Sequence, residues 1–275
     1  MNDFSVLLPV YAGDNADHFA LAITSATSDQ TLKPDQLVIV CDGPIGGSLD
    51  TVLASVNNLT QGVPVTVERL PHNVGLARAL QAGLARCAHD IVARADADDI
   101  SEPQRFALQV TRLAEDHLDL LGSAIQEFDT SGRLGPIRRL PETERDIVAM
   151  APFRDPFNHP TVVYRKSVVQ AAGGYTHLNK MEDYWLFVRM LHAGARVANI
   201  PEPLVRYRVD EGAYQRRGGL QMLRSDWDLQ RRMRTLGFID TPTFIRNVAV
   251  RCGYRLVPTP LRRRAYRAAF TRPGD

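Results

Sequence analysis

Short apolar runs alternate with stripes of helical period over the first 120 residues. Residues 5–11 (SVLLPVY), 36–40 and 65–70 read as buried strands, as does the apolar start of 91–105 (IVARADADDISEPQR). Between them Phe19, Ala22, Ile23 and Ala26 mark one helix, Val52, Leu53, Val56 and Leu59 a second, and Leu76, Leu80, Leu84 and Cys87 a third. Phe106, Val110 and Leu113 then repeat at i, i+4, i+7, the stripe of a fourth helix. Ser101, Pro103 and Gln104 have the spacing of a capping box at its start. Strands that alternate with helices predict βαβ units and an α/β fold, a mostly parallel sheet with helices on both faces.

Beyond that the pattern is weaker. Residues 118–129 read as a strand closed by the turn 130–132. The stretch to about 156 is charged, rich in proline and poorly periodic, which fits a mobile loop near a site and a plain surface excursion equally well. Residues 161–164 are β-prone, Gly173-Gly174 stops a short helix, and 181–192 is helical, with Trp185 and Val188 on one side. Residues 197–200 and 204–209 are the last strand candidates, and 220–236 and 242–270 are helix-prone.

Composition narrows the class. With 275 residues, 44% hydrophobic and 23% charged, the chain reads as one large globular domain or two small ones. No run reaches the ~20 apolar residues of a membrane span, and the N-terminus does not read as a signal peptide. Cys41, Cys87 and Cys252 lie too far apart for a metal motif and read as buried thiols in a reducing compartment. A cytoplasmic location is therefore expected.

The net charge of +2 hides an asymmetry. Residues 214–275 hold 14 Arg and no Lys against four Asp, whereas residues 1–213 carry 19 basic and 27 acidic residues. Two domains are predicted, a body over 1–213 and an arginine-rich helical extension over 214–275. Within that extension Leu256, Leu261, Tyr266 and Phe270 interleave with Arg255, Arg262, Arg263, Arg264 and Arg267. Such a segment suits peripheral binding to an anionic membrane surface; a helical subdomain paired with the acidic body is the alternative. Nucleic acid is not an expected partner, because no reader motif accompanies the arginines.

The chemistry concentrates where strands end. Asp96, Asp98 and Asp99 follow the fourth strand and Asp42 follows the second, so a parallel sheet brings them to one edge, where ligands bind. Three adjacent carboxylates repel one another unless a cation or donors compensate them, and oxygen ligands of this kind suit Mg2+ or Mn2+. The alternative is a solvated acidic turn. Arg78, early in the third helix, lies at the same end. Acids for a metal, base or ribose and an arginine for phosphate describe a nucleoside-diphosphate site; no G-x-G-x-x-G or P-loop is present.

These segments, with HNVGLARALQAGL, NHPTVVYRKSVVQAAGGY, MEDYWLFVRMLHAG and PLVRYRV, resemble the family 2 glycosyltransferases over roughly residues 4–210. The resemblance implies the GT-A (Rossmann-like) fold and a metal-dependent, inverting glycosyltransferase of the hexosyltransferase type, which moves a sugar from a nucleotide-sugar donor, here a UDP-sugar. The expected acceptor is a saccharide or polyprenyl-diphosphate-linked saccharide in cell-surface polysaccharide or glycolipid biosynthesis at the inner face of the membrane. An inactive nucleotide-sugar-binding scaffold is the alternative function. A nucleotidyltransferase would share the sheet and metal but not the Glu182-Asp183 segment.

Carried over by motif, Pro9, Tyr11, Asp42, Arg78 and Asp96 line the donor nucleotide, with Asp42 at the base. Asp98, with Asp96, is the DxD metal ligand for Mn2+ or Mg2+, and Asp99 is a supporting or helix-start acid. Glu182 and Asp183 are catalytic, Asp183 as the base; helix-dipole stabilisation is the structural alternative for this pair. Where many relatives have a histidine after the YR pair, this chain has Asp210, a candidate oxygen ligand. His159 matches a common family position, and taken alone it reads as structural, as do Trp185 and Trp227.

Overall fold

The structure, a computed structural model, describes residues 3–209 and 220–256. Strand β1 (Phe4–Val10) is buried along its whole length, as an apolar run inside a parallel sheet must be. It lies between β2 (Gln36–Cys41) and β4 (Ile91–Arg94), parallel to both, and β3 (Val65–Arg69) extends the sheet beyond β2. Helices α1 (Ala16–Ser25), α2 (Gly47–Ala54), α3 (Val56–Thr60) and α4 (Leu76–Arg86) make the crossovers.

The period of two along the strands sorts side chains into two cores. Val6, Leu8, Leu37 and Ile39 pack on one face with Phe19 and Ile23 of α1. The same core takes Phe106, Val110 and Leu113 of α5 (Arg105–Glu115). On the other face Leu7, Val38 and Val40 meet Leu80 and Leu84 of α4. Gly83 of α4 is where that helix touches the sheet, since a Cβ there would lie 2.3 Å from Val40 and 2.5 Å from Leu7.

Past β4 the sheet continues with β8 (Val163–Arg165), β6 (Leu120–Phe128), β9 (Val197–Arg208) and the two-residue β5 (Ile100–Ser101). β8 is antiparallel to both neighbours, which leaves β6 and β9 parallel to the first four strands. Helices α7 (Lys166–Ala171) and α8 (Glu182–His192) follow β8, and Leu186 and Phe187 of α8 join the second core. The last described helices, α9 (Leu220–Thr235) and α10 (Thr241–Leu256), are not a detached appendage. Met222, Leu229 and Met233 of α9 share a third core with Met181, Trp185 and Val188.

Several elements differ from the reading of the sequence. The single helix expected through Leu59 breaks at Ser55, whose hydroxyl bonds back to Val52 O at 3.0 Å and competes with helix continuation. Ser101 is not an N-cap: α5 begins at Arg105 without a side-chain cap. Ser101 instead pairs with Val205 of β9, and its hydroxyl accepts a 3.0 Å bond from Arg105. The unpatterned stretch after residue 132 is not bare loop throughout. It holds β7 (Leu134–Arg138), antiparallel to β6, and α6 (Glu144–Met150), capped by Thr143. The two final strand candidates are one strand, β9, which follows β6 throughout with register shifts opposite Ala124. The β-prone run at 161–164 enters through a 3-10 turn, His159–Thr161, and becomes strand only at Val163.

Candidate active site

The parallel topology delivers the expected edge. A cleft of about 360 Å³ opens at the carboxyl ends of β1, β2 and β4, lined by Pro9, Tyr11, Asp14, Asp42, Asp96 and Asp98 among others. Asp42 is buried, and its two carboxylate oxygens accept the backbone N–H groups of Val74 (2.7 Å) and Gly75 (3.1 Å). It thereby pins the loop before α4 against the end of β2. Gly43 makes the contact feasible: it sits at φ +86°, and a Cβ there would come 2.6 Å from Asn73 N. Tyr11 is half exposed over Gly13 at the cleft rim. Arg78 is exposed on the first turn of α4 and is not among the residues lining the cleft.

The acid loop is denser than its motif indicates. Asp96 pairs with Arg94, a fully buried guanidinium on β4 that also donates to Ala95 O. Asp98 is pushed up to about 6, first by the protein crowding it away from water and then by the charge of Asp96. Asp14 follows β1 and is likewise raised to about 6 by burial, with Asp98 and Asp96 adding to the shift, while its bond from Tyr11 N opposes it. Asp99 is buried, accepts Arg208 N at 2.9 Å through one oxygen and leaves the other without a partner. Burial, then Asp96 and Asp98, hold its pKa well above the ordinary range. It sits just before β5, bonded to the backbone of β9, rather than at a helix start. Arg208 of β9 closes the group, donating to Asp98 O at 2.9 Å.

A second cleft of about 360 Å³ adjoins the first, and Asp96 lines both. Its walls include Arg138, Arg154, Asp155, His159, Asp183 and Tyr207. Asp183 stands in the first turn of α8 and accepts Tyr184 N at 2.8 Å. His159 is buried behind it, with Nδ1 3.7 Å from the Asp183 carboxylate and Nε2 3.2 Å from the Tyr175 hydroxyl. Burial raises the pKa of Asp183, the proximity of His159 opposes the rise, and Glu182 adds to it. Burial lowers that of His159, aided by Arg94, while the charges of Asp183 and Asp96 oppose the fall. Glu182 precedes Asp183 but lines neither cleft, and its pKa is raised by burial.

The structure therefore gathers Pro9, Tyr11, Asp42, Asp96 and Asp98 about one cleft, and Asp96 with Asp183 about the next. Asp210 lies outside the described residues. Trp185 is buried, whereas Trp227 is half exposed against Phe244. Asp14, Arg94, Asp155 and Arg208 are the residues that motif reading misses. Asp14 was findable, since it too follows a buried strand. Arg94 and Asp155 carry no signal without the contacts.

The family described as Glycosyl transferase family 2 matches residues 5–172. The chain is 38% identical over 241 residues to the amylovoran biosynthesis glycosyltransferase AmsE of Erwinia amylovora, covering 86% of this chain and 88% of that protein. It is 32% identical over 271 residues to the UDP-Gal:alpha-D-GlcNAc-diphosphoundecaprenol beta-1,3-galactosyltransferase of Escherichia coli, covering 98% and 97%. In fold it is similar to the mannosyltransferase PcManGT of Pyrobaculum calidifontis, solved in complex with GDP-Man and Mn2+. That match has a TM-score of 0.65 at 15% identity and covers 98% of this chain and 76% of the other.

Proposed function

Because the chain belongs to the family 2 glycosyltransferases, with their GT-A architecture, we propose that it transfers a hexose from a UDP-sugar to a lipid-linked saccharide with inversion at the anomeric carbon. The observation that carries the reading is the junction at Asp96: a cleft walled by Asp42 and Asp98 meets a cleft walled by Asp183. Donor and acceptor sides then share one border. The E. coli relative acts on a diphosphoundecaprenol-linked sugar, which supports the acceptor class.

On this reading the uracil lies in the cleft near Asp42 and Tyr11. Asp98 and Asp96 would hold a Mn2+ or Mg2+ ion. The fit is chemical: a crowded oxygen donor set includes a carboxyl driven up to about 6 by burial and by a neighbouring acid, a penalty that a cation relieves. Among the described residues no three acid, histidine or cysteine side chains form a complete cage. When bound, the ion supplies charge neutralisation to the departing nucleoside diphosphate.

The protein's own groups perform the rest. Asp183 takes the proton of the acceptor hydroxyl as that oxygen bonds to the anomeric carbon. The bond from that carbon to the diphosphate oxygen breaks on the opposite face, and the electron pair leaves with the nucleoside diphosphate. A UDP-α-sugar gives a β-linked product. Arg94 pairs with Asp96 at the border of the clefts, and His159 stands beside the Asp183 carboxylate on the acceptor side. Residues 1–213 carry this chemistry, and residues 214–275 place it at an anionic membrane surface, where a lipid-linked acceptor presents its headgroup. Supporting that placement, α10 exposes Ile245 and Val250 (61% and 64% accessible) beside Arg246. Among the described residues no helix is long and apolar enough to cross a membrane.

Calorimetric titration of UDP with and without Mn2+ tests the donor side. Wild type is expected to bind more tightly with the metal, and Asp98→Ala to lose that difference while keeping its fold. Equal metal dependence in both proteins would remove Asp98 from the metal site.

A further inference from the structure

Three consecutive backbone carbonyls after α6 are each held by a side chain from a distant part of the chain. Ala151 O accepts the Tyr184 hydroxyl at 2.6 Å, Pro152 O accepts Asn247 Nδ2 at 2.7 Å, and Phe153 O accepts the Arg251 guanidinium at 2.9 Å. Tyr184 belongs to α8, and the other two donors belong to α10. Both are themselves fixed: Asn247 is buried and bonded to Gln230 Oε1 of α9, and Arg251 is anchored by the buried Asp226. On the far side Asn199 of β9 donates to Pro156 O at 3.0 Å.

A connection tied this often presents what lies between the ties at a set position. Between them lies Asp155, which lines the acceptor cleft and a smaller cleft of about 250 Å³ beside it, and Asp183 lines both as well. Asp155 lines no part of the donor cleft. One of its carboxyl oxygens accepts Phe157 N at 3.1 Å, the bond of an Asx-turn, and a carboxyl has a second oxygen to offer. The two guanidinium groups that act on it are engaged elsewhere, Arg251 with Asp226 and Phe153 O, and Arg138 with Asn158 Oδ1 at 2.8 Å. Burial, and then the charge of Asp183, push its pKa well above the ordinary range, against the bond from Phe157 N and the two arginines. A hydroxyl both donates and accepts, so it suits this carboxyl protonated or ionised.

We propose that Asp155 is a specificity-determining residue of the acceptor cleft, holding a second hydroxyl of the acceptor sugar while Asp183 takes the one that reacts, and that Asn247 and Arg251 of α10 position it. The inference rests on the glycosyltransferase reading above and extends it. Two points of attachment on one sugar fix which hydroxyl reaches Asp183. The C-terminal helices then shape the acceptor site as well as anchoring the protein.

The full chain saturated with UDP and Mn2+ is titrated with octyl hexosides and octyl N-acetylhexosaminides, and the tightest ligand is then compared with its monodeoxy analogues. Asp155→Ser can still accept Phe157 N but is too short to reach a sugar, so it should bind the parent glycoside at least tenfold more weakly. One deoxygenation that costs wild type at least tenfold should cost this variant less than twofold, a non-additivity that marks a direct contact and that a merely structural residue would not produce. Asn247→Ala should weaken the parent glycoside at least threefold. UDP affinity within twofold of wild type in both variants reports an intact fold. Deoxygenations that all cost the same in wild type and Asp155→Ser overturn the contact, and glycoside affinity unchanged in Asn247→Ala overturns the part given to α10. A UDP-loaded wild type that binds none of the glycosides overturns the acceptor subsite. If UDP itself fails to bind in the presence of Mn2+, the donor reading fails instead, a result distinct from all of these.

Discussion

At the scale of single residues, the proposed chemistry depends on where protons sit. Burial raises the Asp183 pKa, so its carboxylate forms only above the ordinary aspartate range of about 3.9. Activity should therefore fall on the acid side with a midpoint above that value in a pH profile of kcat. The proximity of His159 opposes the rise, so His159→Leu should move this limb to higher pH; a limb that does not move would sever the link. Asp99 gives a stability counterpart. Its folded pKa is raised, so the folded state favours the protonated form, and the stability it contributes is complete below about pH 3.9 and lost as pH climbs through the raised value. Asp99→Asn can keep the bond from Arg208 N without the charge. In chelator it should unfold at a higher temperature than wild type at pH 7, with the difference vanishing toward pH 3; a less stable variant at pH 7 contradicts this. The acids Asp42, Asp96, Asp98 and Asp183 are legible in the sequence because each sits at a strand end or helix start beside a recognisable motif. Asp155 is not, because its meaning comes from Asp183, distant in the chain, and Arg94 is not, because its complete burial shows only in the fold.

At the scale of elements, strong periodicity translated directly into structure. The stripes of α1 and α5 are the faces buried on the sheet, and so is that of α4 except for Leu76, which is exposed. The weakly patterned β7 and α6 escaped notice because each buries so little: β7 is an edge strand with three exposed residues, and α6 contributes only Ile147 to the core. The capping-box spacing at Ser101 misled because a local pattern cannot reveal that Arg105 and β9 compete for that residue. Close helix–sheet contact is the feature most sensitive to change. Gly83→Ala would drive a methyl into Val40 and Leu7, an overpacking expected to cost about 1–3 kcal/mol in chemical denaturation. A neutral effect would mean that α4 can slide on the sheet at no cost.

At the scale of the whole molecule, an acidic body meets an arginine-rich C-terminal region, and the structure joins them through the third core rather than keeping them apart. Charge counting could not foresee this, since the apolar contacts of Met222, Leu229 and Met233 determine it. Arg262, Arg263, Arg264 and Arg267 lie outside the described residues, and their proposed role is testable directly. Wild type should float with anionic vesicles at low salt, and the variant with all four changed to Gln should float less; a wild type that ignores such vesicles makes the region purely structural. The central claim is that two clefts meeting at Asp96 form one transfer site with Asp183 as its base. Single-turnover transfer from a radiolabelled UDP-sugar, measured beside UDP affinity in Asp183→Asn, tests it most directly. UDP affinity should stay within twofold of wild type while transfer slows by at least ~10²-fold, the lower range for losing a general base; transfer at the wild-type rate in that variant would contradict the claim.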